Sequence, residues 1–494
     1  MYYLGLDIGS SSIKVALVEA SGGKSVLVVH EPKEEMSMTA LKSDWAEQNP
    51  EIWWAHVCTG IKRVIKESYI DASKISGIGI SYQMHGLVVV DKNGGSLRNS
   101  IIWCDSRAIE IGNEALKSLG EAHCMSHSLN SPGNFTASKL KWVKDNEPWV
   151  YENIYKYMLP GDYIAYRLTG EIKTTSHGLS EGILWDFKEN KVADWLLDHY
   201  GINKALTPDL VENFTNQGTT NKQASQQTGL PVGIPVVYRA GDQPNNALSL
   251  NVFNHGEVAA TGGTSGVIYA VTNKLNSNEP SRINHFAHVN YKKEIPTVGK
   301  LLCINGAGIQ YRWLRNHSVE NSYENMNRKA SKIPIGSEGV VVIPFGNGAE
   351  RMLNNKNIGT HICNLNLNKH SHGYLYRAAL EGIAFSFVYG MEILKNDQAA
   401  IDVIRAGNDN LFRSEIFSNT VATLIGHEIE IYNTTGAVGA ARAVGLIDGD
   451  FEKFGKGITK NDHVMTYMPL SNKEAYEEAY NRWKQELKNI LNNK

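Results

Sequence analysis

The sequence predicts a mixed α/β fold, and two recurring patterns predict it. Short apolar strands alternate with a segment of helical spacing in the first hundred residues. Strand, glycine-rich turn and strand follow one another near the N-terminus and again at residues 256–271. A chain of 494 residues has room for two to four domains at roughly 100–200 residues each.

The elements follow in order. Residues 2–8 (YYLGLDI) alternate as a strand does, residues 11–20 (SSIKVALVEA) form a second strand after a tight Gly-Ser turn, and residues 25–31 (SVLVVHE) a third. Residues 51–70 place apolar side chains at helical spacing. ISGIGIS (75–81) and GLVVVD (86–91) read as strands. IPVVYRAG (234–241) is a strand running into a turn marked by Gly241 and Pro244, then a helix. GEVAATGGTSGVIYAV (256–271) resembles the opening hairpin, and the pattern alone leaves open whether a domain is duplicated or two common hairpins look alike. Residues 449–494 are charged and helix-prone, which predicts a terminal helix packed on the surface.

Composition narrows the function classes. Hydrophobic residues make up 42% and charged residues 20%, as in an ordinary globular protein. A net charge of -2 gives no excess of cations to draw nucleic acid or anionic lipid. No apolar run approaches the roughly 20 residues that span a bilayer, and MYYLGLDIGSSS lacks the basic region of a signal peptide. Cys58, Cys104, Cys124, Cys303 and Cys363 are odd in number, widely spaced and without a CxxC pair. They are expected to be reduced packing residues in a cytoplasmic protein.

Four segments carry candidate chemistry. In DIGSSS, Asp7 ends a strand, Gly9 permits a tight turn, and Ser10, Ser11 and Ser12 offer amides and hydroxyls that can hold phosphate oxygens. The Asp7 carboxylate suits hydrated Mg²⁺, and Lys14 either reaches a phosphate or points to solvent. ATGGTSG (260–266) offers Gly263 and Thr264 in a second such turn, and two turns facing each other would clamp a polyphosphate. In RAGDQPNNALS (239–249), Asp242 and Gln243 follow a strand; Asp242 is either a helix N-cap or a carboxylate that accepts a hydroxyl proton. Around ISYQMHG and SIIWCDSRA, Gln83, His85, Asp105 and Arg107 stand beside apolar strands with Trp103 as a flat face. That combination suits a sugar, although Asp105 and Arg107 also read as a surface ion pair.

Taken together, DIGSSSIK, GISYQMHGLVVVD, IIWCDSRA, AGDQPNNA, TGGTSG, IPFGNGAER and LYRAALEGIAFS resemble, in order, the motifs of the FGGY carbohydrate kinases, over about residues 3–446. The resemblance implies two actin-like, ribonuclease H-like domains with ATP and a sugar in the cleft between them. It implies residues 1–248 as an N-terminal sugar and phosphate domain, 249–448 as a C-terminal nucleotide domain, and 449–494 as a helical extension. Asp7 is then the Mg²⁺-associated aspartate, Gly9, Ser10 and Ser11 the first phosphate loop, and Gly263 and Thr264 the second. Asp242 is the catalytic base. Met84 and His85 contact the sugar, with Gln83, Trp103 and Gln243 around it. Gln-Met-His-Gly followed by W-x-D-x-R implies D-xylulose as the substrate, phosphorylated at O5, and family likeness implies a homodimer.

Departures from the family pattern fall on the adenine side. A GGGA-type run is usual there, but IRAGNDNLFRSEIF keeps only Gly407, with Asn408 and Asn410 where glycines would stand. The Gln-x-x-Ala-Asp that follows reads Asn419, Ala422 and Thr423. The late G-x-x-x-G-L reads Gly359 to Asn364-Leu365. Gly407 and Asn408 remain the candidate adenine contacts. Kinases of ribulose, gluconate or glycerol share the motifs, and the same fold serves sugar sensors and chaperone- or filament-type ATPases. Against a sensor stands the lack of a helix-turn-helix or basic block, and against the ATPases stand the intact sugar-site segments.

Overall fold

Two sheets of one topology carry the chain, one in each lobe. The computed structural model describes residues 1–408 and 410–493, except the side chain of residue 410; Asp409 of the IRAGNDN segment lies outside the described residues. The first sheet contains β1 (Tyr2–Ile8), β2 (Ile13–Glu19), β3 (Ser25–Glu31), β4 (Ile75–Tyr82) and β5 (Val236–Gly241), in the order β5-β4-β1-β2-β3. The second contains β6 (Glu257–Gly262), β7 (Gly266–Thr272), β8 (Asn284–Ala287), β9 (Val298–Ile304), β10 (Val403–Gly407), β11 (Ile429–Tyr432) and β12 (His463–Tyr467), in the order β8-β9-β7-β6-β10-β11-β12. In the first sheet an antiparallel β1–β2–β3 meander meets β4 and β5 running parallel to β1. In the second, β6–β7–β9 repeats the meander and β10 and β11 run parallel to β6. The two glycine-rich hairpins thus belong to a repeat of whole sheets, which answers the question the pattern left open.

The helices include α1 (Pro50–Ser68), α2 (Ser176–Glu181), α3 (Asp242–Ser249), α4 (His372–Asn396), α5 (Gly436–Ala443) and α6 (Lys473–Asn492). The Asn49 side chain starts α1 by accepting from the Glu51 N–H at 2.9 Å, and Pro50 takes the first helical position. This helix covers β2 and β3. The opposite face of that sheet is covered by α5, although α5 follows β11 of the other lobe. Gly5 of β1 and Gly79 of β4 make room for it: a Cβ there would stand 1.9 Å from the Ala437 carbonyl oxygen and 1.8 Å from that of Ala440. The small residues of GAVGAARA let this helix lie so close. The end of α3 in turn packs Ala247 and Leu250 with Ala259 of β6 and Tyr269 of β7. The lobes are therefore joined through two crossing helices, each reaching onto the other lobe's sheet.

Two expectations change. GLVVVD contracts to Val88–Val90 and pairs with Lys156–Met158 in a separate ribbon, because β5 takes the open edge of β4. The C-terminal stretch forms the expected terminal helix, and it does more than extend the chain. Its strand β12 hydrogen-bonds to β11. Its helix α6 buries Tyr476, Ala479, Tyr480, Trp483 and Leu487, a stripe at helical spacing. Trp483 is fully buried and donates from Nε1 to the Val342 carbonyl at 3.0 Å. Residues 449–494 thus add to the second lobe's sheet and core. The five cysteines are unpaired, and no helix among the described residues is long and apolar enough to cross a membrane.

Candidate active site

The first glycine-rich hairpin sits at the ends of β1 and β2. Gly9 N–H donates to the Ser12 carbonyl at 3.1 Å, closing the turn. Gln48 anchors it from below, donating to the Ser10 carbonyl at 2.7 Å. Asp7 and Lys14 face each other across the hairpin register, with Lys14 Nζ 3.4 Å from Asp7 Oδ2. In the second lobe the Gly263 and Thr264 carbonyls accept from Gly308 and Ile309 at the start of the following helix, at 3.1 and 3.0 Å. A cavity of about 650 Å³ adjoins that turn. It is lined by Gly263 and Thr264 with Tyr311, Tyr323, Asn327 and Arg413 among others. Gly407 and Asn408 do not line it: Asn408 N–H instead donates to the Tyr432 carbonyl at 2.7 Å, continuing the β10–β11 pairing.

Asp242 stands at the junction of β5 and α3. Gly241 occupies the cap position and Asp242 is the first helical residue, so its carboxylate is not the helix cap. Burial, then the charge of Asp7, pushes the Asp242 carboxyl up to about 7, against the Gln243 N–H and the Lys14 charge. Its proton affinity thus falls where a general base works best near neutral pH.

The residues expected to contact the sugar gather beside it. Gln83 N–H donates to the Ile8 carbonyl at 2.8 Å, tying this segment to β1. The buried Gln83 amide meets no hydrogen-bond partner among the described residues. Met84 is buried and packs against Gly241. His85 adopts a left-handed φ of 63° and sits between the rings of Phe135 and Phe286, at 4.8 and 5.2 Å. Its Nδ1 lies 2.8 Å from the Glu181 carbonyl, which can only accept, so Nδ1 carries the proton. Burial drops the His85 pKa to about 3, and the neutral ring keeps Nε2 as an acceptor. Half-exposed Trp103 donates from Nε1 to Ser10 Oγ at 3.2 Å, joining the sugar side to the phosphate hairpin.

Asp105 and Arg107 are neither sugar ligands nor a surface pair. Both are fully buried; Arg107 bonds Asp105 at 2.7 Å and Glu47 at 2.7 Å and stacks on Trp45. Two further residues escaped the sequence reading. Lys139 is buried and donates to the His85 and Ile102 carbonyls at 2.9 and 3.0 Å, pinning the two sugar-side loops together. Glu181 at the end of α2 is buried directly behind Gly241; a Cβ on that glycine would stand 2.2 Å from Glu181 Oε2. Burial, then the charge of Asp242, holds the Glu181 carboxyl well above the usual carboxylate range. Tyr82 faces it, and a side-chain hydrogen bond between the two holds the Tyr82 hydroxyl against this carboxyl.

Two repeated lobes, two glycine-rich hairpins and a carboxylate at the strand-to-helix junction define a comparison. The model of the FGGY family of carbohydrate kinases, N-terminal domain, matches residues 2–249, and that of the C-terminal domain matches residues 258–445. The chain belongs to the FGGY family of carbohydrate kinases. Its two mixed α/β lobes are those of the actin-like sugar kinases. It is 25% identical to a xylulose kinase of Staphylococcus xylosus, over 98% of this chain and 99% of that one. It is 27% identical to a xylulose kinase of Bacillus subtilis, over 91% and 89%. The crystal structure of a xylulose kinase from Rhodospirillum rubrum superposes with a TM-score of 0.87 at 23% identity, covering 99% of both chains. As an FGGY carbohydrate kinase, the chain transfers a phosphoryl group from ATP to a sugar.

Proposed function

We propose that this kinase phosphorylates D-xylulose at O5, with Asp242 as general base and MgATP as donor. The observation that carries the reading is the Asp242 carboxyl, raised to about 7 by burial and the Asp7 charge, next to Gly241 against which Met84 packs. Phosphoryl transfer asks the protein for positioning, charge neutralisation and a group that orients the nucleophile. Asp242 accepts the O5 proton as O5 attacks the γ-phosphorus and the bond to the ADP oxygen breaks. The Nε2 of neutral His85 accepts from a sugar hydroxyl, and the unpartnered Gln83 amide offers a donor and an acceptor. Gly9, Ser10, Ser11 and Lys14 from one lobe and Gly263 and Thr264 from the other hold the phosphates. The substrate choice rests on xylulose kinases as relatives matched over nearly the whole chain.

Asp7 suits Mg²⁺. It offers hard oxygen donors beside the phosphate hairpin and close enough to Asp242 to raise that group's proton affinity. Mg²⁺ keeps most of its waters and needs only one or two protein carboxylates. That agrees with the lack, among the described residues, of any cluster of three or more metal-binding side chains. When bound, the ion neutralises charge on the phosphate oxygens.

ADP release measured against D-xylulose, ribulose, gluconate and glycerol tests the substrate. The highest kcat/KM should belong to D-xylulose. A higher value for another of these would overturn the substrate and leave the kinase standing.

A further inference from the structure

The second lobe offers one cation to the sugar side of the cleft. Arg351 lies on the short 3-10 turn Glu350–Leu353 and is half-buried. Its Nη2 reaches across to the first lobe, 3.5 Å from Ser131 Oγ. Gly133, with φ 44°, lets it pass: a Cβ there would stand 3.4 Å from Nη2. The guanidinium carbon is 5.8 Å from the ring of Phe135, which packs edge-on against His85. Its charge reaches His85 itself, helping to keep that ring neutral.

The guanidinium is sparsely bonded where it crosses between the lobes. It has five N–H donors, and its only hydrogen bond among the described residues is the long one to Ser131. Glu350, the carboxylate whose charge bears on it, is exposed and forms no ion pair with it. Two other part-buried arginines are held more firmly. Arg282 donates twice to the Met352 carbonyl, at 3.2 and 3.0 Å. Arg405 pairs with Glu430 and Glu257. A half-buried guanidinium with one long contact keeps N–H donors for ligand oxygens in the cleft. The backbone before it is strained as well, with Glu350 at φ 43°, and such strain concentrates where a side chain must be aimed.

We propose that Arg351 is a sugar-contacting residue supplied by the second lobe, its guanidinium donating to acceptor oxygens of the bound sugar beside His85. It makes the sugar pocket complete only when both lobes contribute. The inference rests on the cleft beside His85 being the sugar site.

The test uses whichever of D-xylulose, ribulose, gluconate and glycerol the wild type turns over fastest, so a wrong substrate assignment does not disturb it. Arg351→Ala should raise the KM for that sugar about 10–100-fold, the range for losing charged hydrogen bonds, and leave the KM for ATP within about twofold. Arg351→Lys should recover only part, since it keeps the charge but not the planar fork. Ser131→Ala, which removes only the protein contact, should leave the sugar KM within about twofold. A folded Arg351→Ala with an unchanged sugar KM overturns the proposal. So does a parallel rise in both KM values with a lower melting temperature, or an equal effect of Ser131→Ala, because Arg351 would then only latch the lobes.

Discussion

The Asp7 carboxylate lies against the first residue of α5: a Cβ added to Gly436 would stand 3.0 Å from Asp7 Oδ2 and 3.4 Å from Asn245 Nδ2. The Asn245 Nδ2 also donates to the Gly436 carbonyl at 2.9 Å. The helix that joins the lobes therefore begins at the proposed metal ligand. Gly436→Ala should displace that carboxylate by a few tenths of an ångström without unfolding α5. Turnover should drop and the Mg²⁺ concentration for half-maximal rate should rise, with Asp7→Asn giving the same change more steeply. Normal turnover of Asp7→Asn at limiting Mg²⁺ would leave Asp7 a structural turn residue.

Trp103 and Ser10 join the two halves of the site through one hydrogen bond. Trp103→Phe keeps a flat face and removes the donor. It should raise both the sugar KM and the ATP KM by a few-fold, about what one exposed hydrogen bond is worth. A change in the sugar KM alone would show Trp103 to be a platform without a link to the hairpin.

Burial and the Asp242 charge raise the Glu181 carboxyl beside the proposed base, which predicts a neutral acid there. Glu181→Gln replaces a neutral acid by a neutral amide of similar shape, so the pH dependence of kcat/KM should keep its midpoint. A shift of that midpoint to lower pH would mean that Glu181 is ionised in the wild type and repels the Asp242 charge.

Stability away from the cleft depends on the C-terminal helix. Trp483 is fully enclosed and packs on Phe345, Phe385 and Tyr480. Trp483→Ala should cost about 3–5 kcal/mol, the usual loss for deleting a buried tryptophan side chain. Deleting residues 449–494 should leave the second lobe unable to fold, whereas a dispensable extension would leave the melting temperature unchanged.

What the sequence disclosed followed from local geometry. The hairpins, β5 and the position of Asp242 are written in two-residue alternation broken by glycine and proline, so they are legible from neighbours alone. Glu181 is not. In the segment GLSEG an acidic residue reads as a solvated helix end, and only the later return of β5 and α3 buries it. Asp105 and Arg107 depend likewise on Glu47 and Trp45, far earlier in the chain, to become a buried network. Arg351 sits in a quoted motif, yet its direction is set by the first lobe's loop at Ser131 and Gly133. The C-terminal helix shows its apolar stripe in the sequence, but the charged residues between its members suggest a surface. Gly407 and Asn408 match only the place of a glycine run, whereas the cavity is lined by Tyr311, Tyr323 and Arg413 among others, which no local motif marks.

The central claim is that Asp242 accepts the hydroxyl proton. Ionisation near pH 7 predicts that kcat/KM falls about tenfold per pH unit below that point and levels off above it. The sign for stability is opposite. An unfolded aspartate ionises near pH 4, while the folded one holds its proton to about 7. Folding stability contributed by this group therefore declines as pH rises from about 4 to about 7, then stays level. Asp242→Asn escapes that decline, so at pH 8 without nucleotide or Mg²⁺ it should melt no lower than wild type. The deciding measurement is kcat for sugar phosphorylation beside that melt on one preparation of Asp242→Asn. A general base predicts a loss of about 10²–10⁴ in kcat with the melting temperature kept. A folded variant within a few-fold of wild-type kcat would contradict the account.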